Sequence, residues 1–298
     1  MNEDTTIPNA DTLAAYNYCV SFIDLLGQRA ALRGAGLLPA FKSKEDEHNF
    51  KQVFIDSVGA IANLQIRSEE MLRKAVRQNP DSLLGQSLSE EQKTLWDEMQ
   101  RTNIKHQRWS DGLVSFVNLG DIAIKCHLNG IFHLIAASGA LCFFGLASKQ
   151  PLRGAIDIAW GMELHPNELY GAVIARAYEL ESSIAQYPRI VVSHQTVHYL
   201  VTHRDNQAED IYSLNNRTLA DLCLRLLAKD TDGYSIVHYL GKSFRDAVTQ
   251  SQHDSLYMPA RTYIAEQLQL HRQSGNSALA FRYTHLQYYF DSHPKDEA

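Results

Sequence analysis

Two aspartates in this chain sit in runs that oppose a charge. Asp24 lies within Phe22-Ile23-Asp24-Leu25-Leu26-Gly27, and Asp111 lies within Trp109-Ser110-Asp111-Gly112-Leu113-Val114-Ser115-Phe116; both runs are β-forming, apolar and marked by a glycine. A carboxylate in such a run loses hydration that something must return. Two of them brought together by folding would repel unless divalent cations lay between them. That arrangement suits a two-metal phosphate site. The plainer alternative is a pair of unrelated residues, one closing a strand and one turning an Asp-Gly hairpin.

Composition bounds the setting of such a site. With 298 residues, 45% apolar and 21% charged, the chain can bury a substantial core as one elaborated domain or two small ones. A formal charge of −6 argues against a broad electropositive face, so nucleic acid is not expected as a direct partner. Cys19, Cys126, Cys142 and Cys223 form no CxxC pair, which fits buried thiols in a reducing, cytoplasmic compartment. Residues 1–14 read as a loose polar tail without a secretion signal. Residues 130–147 carry only His133 as a strongly polar side chain. Their small-residue centre, Ala136-Ala137-Ser138-Gly139-Ala140, and the lack of basic flanks predict a helix buried against a sheet rather than a membrane span. His194 and His198 share the i, i+4 spacing of a zinc pair, but no glutamate follows the first, and no GxxxxGK[ST] loop occurs.

The elements that must position the aspartates follow from periodicity. Residues 18–23 predict a strand and 41–75 an amphipathic helix. Residues 79–107 are polar and read as an excursion outside the core, with a short helix started by the capping box Ser89-Glu90-Glu91-Gln92. Asp111-Gly112 belongs near the start or turn of a hairpin whose strand is 113–119. A strand and hairpin over 152–164, a helix over 170–185 and a strand over 188–193 follow, with Ser193 capping a helix from His194. The order is the ferredoxin-like βαββαβ pattern, an α+β fold spanning 15–204 with 79–107 inserted. In the C-terminal extension, 205–298, Asp210-Ile211-Tyr212 and Thr231-Asp232-Gly233-Tyr234 read as short strands or turns. Helices over 260–273 and 277–290 would pack on the core or on a second subunit.

Taken in order, the Phe22 to Gly27 run, Ser110-Asp111-Gly112, Leu152-Arg153-Gly154-Ala155-Ile156, the stretch from Tyr170-Gly171-Ala172 to Tyr178-Glu179-Leu180-Glu181, and Tyr187-Pro188-Arg189-Ile190-Val191 resemble the catalytic fold of the class III adenylate and guanylate cyclases. The resemblance is closer to the bacterial Pycsar branch, the pyrimidine nucleotide cyclases of antiphage defence. It implies two divalent metal ions, Mn²⁺ or Mg²⁺, held by Asp24, the Leu25 carbonyl and Asp111. It places Phe22, Leu26, Gly27 and Arg29 about the substrate, although Phe22 reads more readily as a core residue than as a base contact. It also implies a homodimer with its sites at the subunit interface, and an effector reached through a diffusible product.

Departures from the purine cyclases narrow the substrate. Their ribose asparagine and transition-state arginine fall on Ala175 and Glu179, their purine-reading lysine on Gln107, and its acidic companion near Glu168. A small base fits better, so the resemblance implies a uridylate cyclase that converts UTP to 3′,5′-cyclic UMP and pyrophosphate. CTP, a purine substrate and a non-catalytic binding module stay open. Arg153, then Arg29, Arg176 and Arg189, are the candidates for the catalytic cation that replaces the missing arginine. Arg153 could instead bridge to a carboxylate such as Asp157, and Glu179 and Glu181 read as ion-pair formers along a helix.

Overall fold

The computed structural model describes residues 14–27, 40–76, 89–109 and 111–295. They form a mixed α+β fold around one sheet. Its strands are β1 (Tyr16–Leu25), β2 (Ile104–Trp109), β3 (Gly112–Asn118), β4 (Leu152–His165), β5 (Glu168–Tyr170), β6 (Ile190–Val192), β7 (Leu227–Lys229) and β8 (Ser235–Val237). The order across the sheet is β2-β3-β1-β4-β6-β8-β7, with β5 folded back onto β4. β1 is antiparallel to both β3 and β4, and β4 runs parallel to β6. The helices are α1 (Lys44–Val76), α2 (Glu90–Gln100), α3 (Leu128–Ala147), α4 (Ala172–Glu179), α5 (His194–Arg204), α6 (Ile211–Arg225), α7 (His253–Gln273) and α8 (Ser277–Asp291).

Alternation along β1 divides the molecule. Cys19, Ile23 and Leu25 enter a large apolar core with α1, α3 and the C-terminal helices, whereas Tyr18, Val20 and Phe22 join a smaller cluster with Val114, Phe116 and α4 residues Val173, Ile174 and Ala177. α3 is apolar and long enough to cross a membrane by length and composition, but most of it is buried here between the sheet and α7. Its Ser138 meets Ser21 of β1 at 2.7 Å, so the two hydroxyls in this interface satisfy each other. All four cysteines are free and buried.

Several expectations about elements change. Residues 104–107, assigned to the excursion, belong to β2; the strand is a sheet edge, where polar residues are tolerated and apolar alternation is lost. The Ser89 capping box is present, and Ser193 caps α5 by accepting from the Thr196 N–H at 3.0 Å. Asp210-Ile211-Tyr212 is neither strand nor turn: Asp210 caps α6 by accepting from the N–H groups of Tyr212 and Ser213. The extension from 205 is part of the same sheet, because β8 pairs with β6 and β7 with β8. The helix expected over 170–185 is α4, which passes into a π-helical turn at Leu180–Ile184.

Candidate active site

The ladder on either side of β1 decides what Asp24 meets. Asp24 is paired with Gly112 of β3 on one side and with Arg153 of β4 on the other. Asp111 immediately precedes Gly112, at the tip of the β2–β3 hairpin closed by Trp109 and Gly112. The two aspartates, far apart in sequence, therefore occupy neighbouring positions at one end of the sheet. Gly112 is required there: a Cβ on it would stand 2.7 Å from the Ile23 carbonyl oxygen and 3.7 Å from Asp24 Oδ1. Beyond Asp24, the Leu25 side chain is buried in the large core, leaving its backbone as the part that can serve a site. The Leu26 N–H donates to the Pro151 carbonyl at 3.0 Å, so that amide is committed to the fold. Gly27 turns the chain with φ +97°, a conformation L side chains resist, and nothing lies within 4 Å of where its Cβ would be. Arg29 and Ser110 lie outside the described residues.

Arg153 reaches across the ladder. Its Nη2 is 3.5 Å from Asp24 Oδ2, and its Nε is ion-paired with Glu181 Oε1 in the π-helical turn. The side chains of Arg153 and Asp24 are 16% and 18% exposed, that of Glu181 only 2%. The alternative bridge from Arg153 to Asp157 does not form, for a simple reason. Residues four apart on one strand are roughly 13 Å apart. Asp157 is instead paired with Arg176 of α4, whose Nε lies 2.7 Å from Asp157 Oδ2; this hydrogen bond and the aspartate's charge raise the arginine's pKa. Arg189 binds Asp230, Asp232 and the Ile184 carbonyl and lies over the Tyr187 ring. Of the four candidate cations, Arg153 is the one placed on Asp24 among the described residues.

Beside these charges lies a groove of about 570 Å³ lined by Gln107, Trp109, Trp160, Glu168, Tyr170, Ala175 and Tyr178, among others. The positions aligned with the purine-reading pair, Gln107 and Glu168, thus share one wall. Gln107 Oε1 accepts from the Leu169 N–H at 3.1 Å, which fixes the amide's orientation. Phe22 lies under the groove, buried, with ring edges against Trp109 at 5.9 Å and Tyr178 at 5.7 Å between centroids. Trp109, Trp160, Tyr170 and Tyr178 stay substantially exposed.

The donors fit a hard cation. Two carboxylates and a main-chain carbonyl offer only oxygen, which suits Mg²⁺ or Mn²⁺. Among the described residues no three His, Cys, Asp or Glu side chains converge on one point. Mg²⁺ bound here would thus be held in its usual way, by one or two carboxylates with water and substrate phosphate. Glu181, expected as an ion-pair former, does form a pair, with Arg153, and is buried. The signal for its burial, which sequence reasoning missed, was spacing: Val173, Ala177 and Glu181 recur every fourth residue, and all three are buried. No protein-family model matches the chain, and no curated protein matches it.

Proposed function

We propose that the chain is a pyrimidine nucleotide cyclase with a ferredoxin-like core, converting UTP to 3′,5′-cyclic UMP and pyrophosphate as a cytoplasmic homodimer. The observation that carries this reading is the pairing of Asp24 with Gly112, which sets Asp111 beside Asp24. The antiparallel order β2-β3-β1-β4, with helices between β1 and β2 and between β3 and β4, is the strand order that a βαββαβ core requires.

Asp24, Asp111 and the Leu25 carbonyl would hold two divalent ions, whose chemistry is to acidify the ribose 3′-hydroxyl and neutralise the triphosphate. The chain's own contribution is positioning and charge. Arg153, alongside Asp24, supplies a guanidinium for the charge that develops on the phosphoryl oxygens as pyrophosphate leaves. The groove beside it offers aromatic faces and the Gln107 amide to a small base. Its exposed rim on the β4–β5 hairpin, Trp160 at 51% and Tyr170 at 61%, supports a second copy as the partner that closes the site. The product would carry its signal to a separate effector.

The test is turnover of each of the four nucleoside triphosphates with Mn²⁺. Cyclic UMP should dominate, and Asp24→Ala and Asp111→Ala should each abolish it while the chain stays folded. Dominant cyclic AMP or cyclic GMP would overturn the pyrimidine assignment, and dominant cyclic CMP would move it to CTP. A second reading, a non-catalytic nucleotide-binding module, is favoured by Ala175 standing in the groove wall where purine cyclases carry asparagine. Absence of turnover in the parent chain would select it.

A further inference from the structure

Arg153 meets two carboxylates along its Nε/Nη2 edge, and the two contacts differ. Asp24 approaches Nη2 loosely, at 3.5 Å, from a position open enough to take a cation; Glu181 meets Nε closely, from a position almost fully removed from water. A carboxylate buried to 2% is unfavourable unless a cation faces it, and Arg153 is that cation. α4 ends in a π-helical turn, closed by the Ala185 N–H on the Leu180 carbonyl at 2.9 Å, and Glu181 lies within that turn. Among the described residues one guanidinium thus faces two carboxylates, and Asp111 lies next to Gly112, the ladder partner of Asp24.

Divalent cations held at Asp24, as the cyclase reading requires, have a consequence for Arg153. Its looser partner is taken, and like charges now push it away. A second carboxylate must then retain it.

We propose that Glu181 is a positioning residue that anchors Arg153 through Nε, keeping the guanidinium in the site once Asp24 is given over to divalent metal and triphosphate. The inference rests on the cyclase reading above and adds a residue to it. Glu181 touches neither substrate nor metal; it acts through Arg153. Without it, Arg153 would either collapse onto Asp24 and compete with the cation, or leave when the cation binds.

The two readings separate in one set of measurements on the full chain: Mn²⁺ affinity from the free-ion electron paramagnetic resonance signal, kcat and KM for UTP, and thermal stability. Arg153→Gln removes the competitor for Asp24 and should tighten Mn²⁺ binding by about tenfold, the size of coupling between close charges, while lowering kcat by about 100-fold, as for loss of one transition-state donor. Glu181→Gln should weaken Mn²⁺ binding and lower kcat far more than it raises KM. Glu181→Asp should recover part of both. In the double variant, Mn²⁺ affinity should return to that of Arg153→Gln, because the anchor has nothing left to hold. Equal weakening by Glu181→Gln with and without Arg153 would overturn the proposal, as would a Glu181→Gln variant altered in stability alone. If Glu181→Gln does not fold, Arg153→Gln decides by itself: failure to tighten Mn²⁺ overturns the proposal. A parent chain that binds Mn²⁺ no better than the variant combining Asp24→Ala with Asp111→Ala would overturn the metal site itself, a result distinct from failure of the anchor alone.

Discussion

Arg153 and Arg189 are both arginines of the central sheet region clasped by two carboxylates, yet they are clasped differently. Arg189 is 5% exposed and its guanidinium binds Asp230, Asp232, the Ile184 carbonyl and the face of Tyr187, so neighbours of fixed position surround it. It ties the end of the π-helical turn to the β7–β8 turn. Among the described residues Arg153 is ion-paired with carboxylates, Glu181 at Nε and Asp24 at 3.5 Å, and remains 16% exposed. A cation fixed by carbonyl, ring and carboxylates holds a fold together. One left with a loose carboxylate partner, next to a second aspartate, is arranged to exchange that partner for something else.

Substitution should break this comparison if it is wrong. Arg189→Met leaves buried carboxylate oxygens of Asp230 without their cation and should cost about 3–5 kcal/mol, the range for losing one member of a buried pair. The melting temperature should fall by roughly 10 °C, and Mn²⁺ should stabilise this variant no more than it stabilises the parent chain. Arg153→Met removes the cation that faces Glu181 and Asp24 and should also lower the melting temperature, but here millimolar Mn²⁺ should raise it by more than it raises that of the parent chain, because the competitor for Asp24 is gone. Scanning calorimetry of the parent chain and both variants with and without Mn²⁺ checks the contrast. An equal Mn²⁺ shift in both variants would erase it.

How much of this was legible beforehand depended on whether a residue's role was local. The runs around Asp24 and Asp111 announced themselves, because a charge inside an apolar β-forming stretch is a local anomaly. The Ser89 and Ser193 caps were legible for the same reason, each being one residue reading the next turn of chain. The pairing of Asp157 with Arg176 rather than Arg153 was not, since it depends on α4 crossing β4. β2 was hidden by its place at the edge: Ile104-Lys105-His106-Gln107-Arg108-Trp109 alternates weakly because its outer side faces solvent and needs no apolar stripe. Asp210 was misread because Ile211-Tyr212 looks β-forming in isolation, and only the fifteen residues that follow make it a helix cap.

A third arginine on the site face sharpens the comparison at smaller amplitude. Arg176 is half exposed and meets Asp157, whose side chain is fully buried and also accepts from the Ile158 N–H at 2.9 Å. Arg176→Gln keeps a donor of shorter reach and lets water approach, so the loss should be about 1–3 kcal/mol, the penalty for a buried polar group left partly satisfied. Denaturant unfolding should show it as a lower midpoint with an unchanged slope. UTP turnover should fall less than for Arg153→Gln, because Arg176 supports α4 and not Asp24. A loss of turnover equal to that of Arg153→Gln would mean that the whole arginine face acts as one unit.

The smallest effect separates the two clusters by pH. Burial raises the pKa of Asp232, but the hydrogen bond and charge of Arg189 together with the Tyr234 N–H outweigh it and hold the carboxyl below its ordinary value. A carboxyl depressed on folding contributes stability that is present above its unfolded pKa of about 3.9 and is lost as pH falls through the lower folded value. The gap in melting temperature between the parent chain and Arg189→Met should therefore be constant from neutral pH to about pH 4 and narrow below it. Burial and a neighbouring imidazole push His127 and His238 down to about 4, so both forms should lose stability together as pH drops from about 6.5, and that part cancels in the difference. Asp232 is 39% exposed, so the narrowing should be slight. A gap that stays level to pH 3 would show that Arg189 holds its turn through Ile184 and Tyr187 rather than through the Asp232 charge.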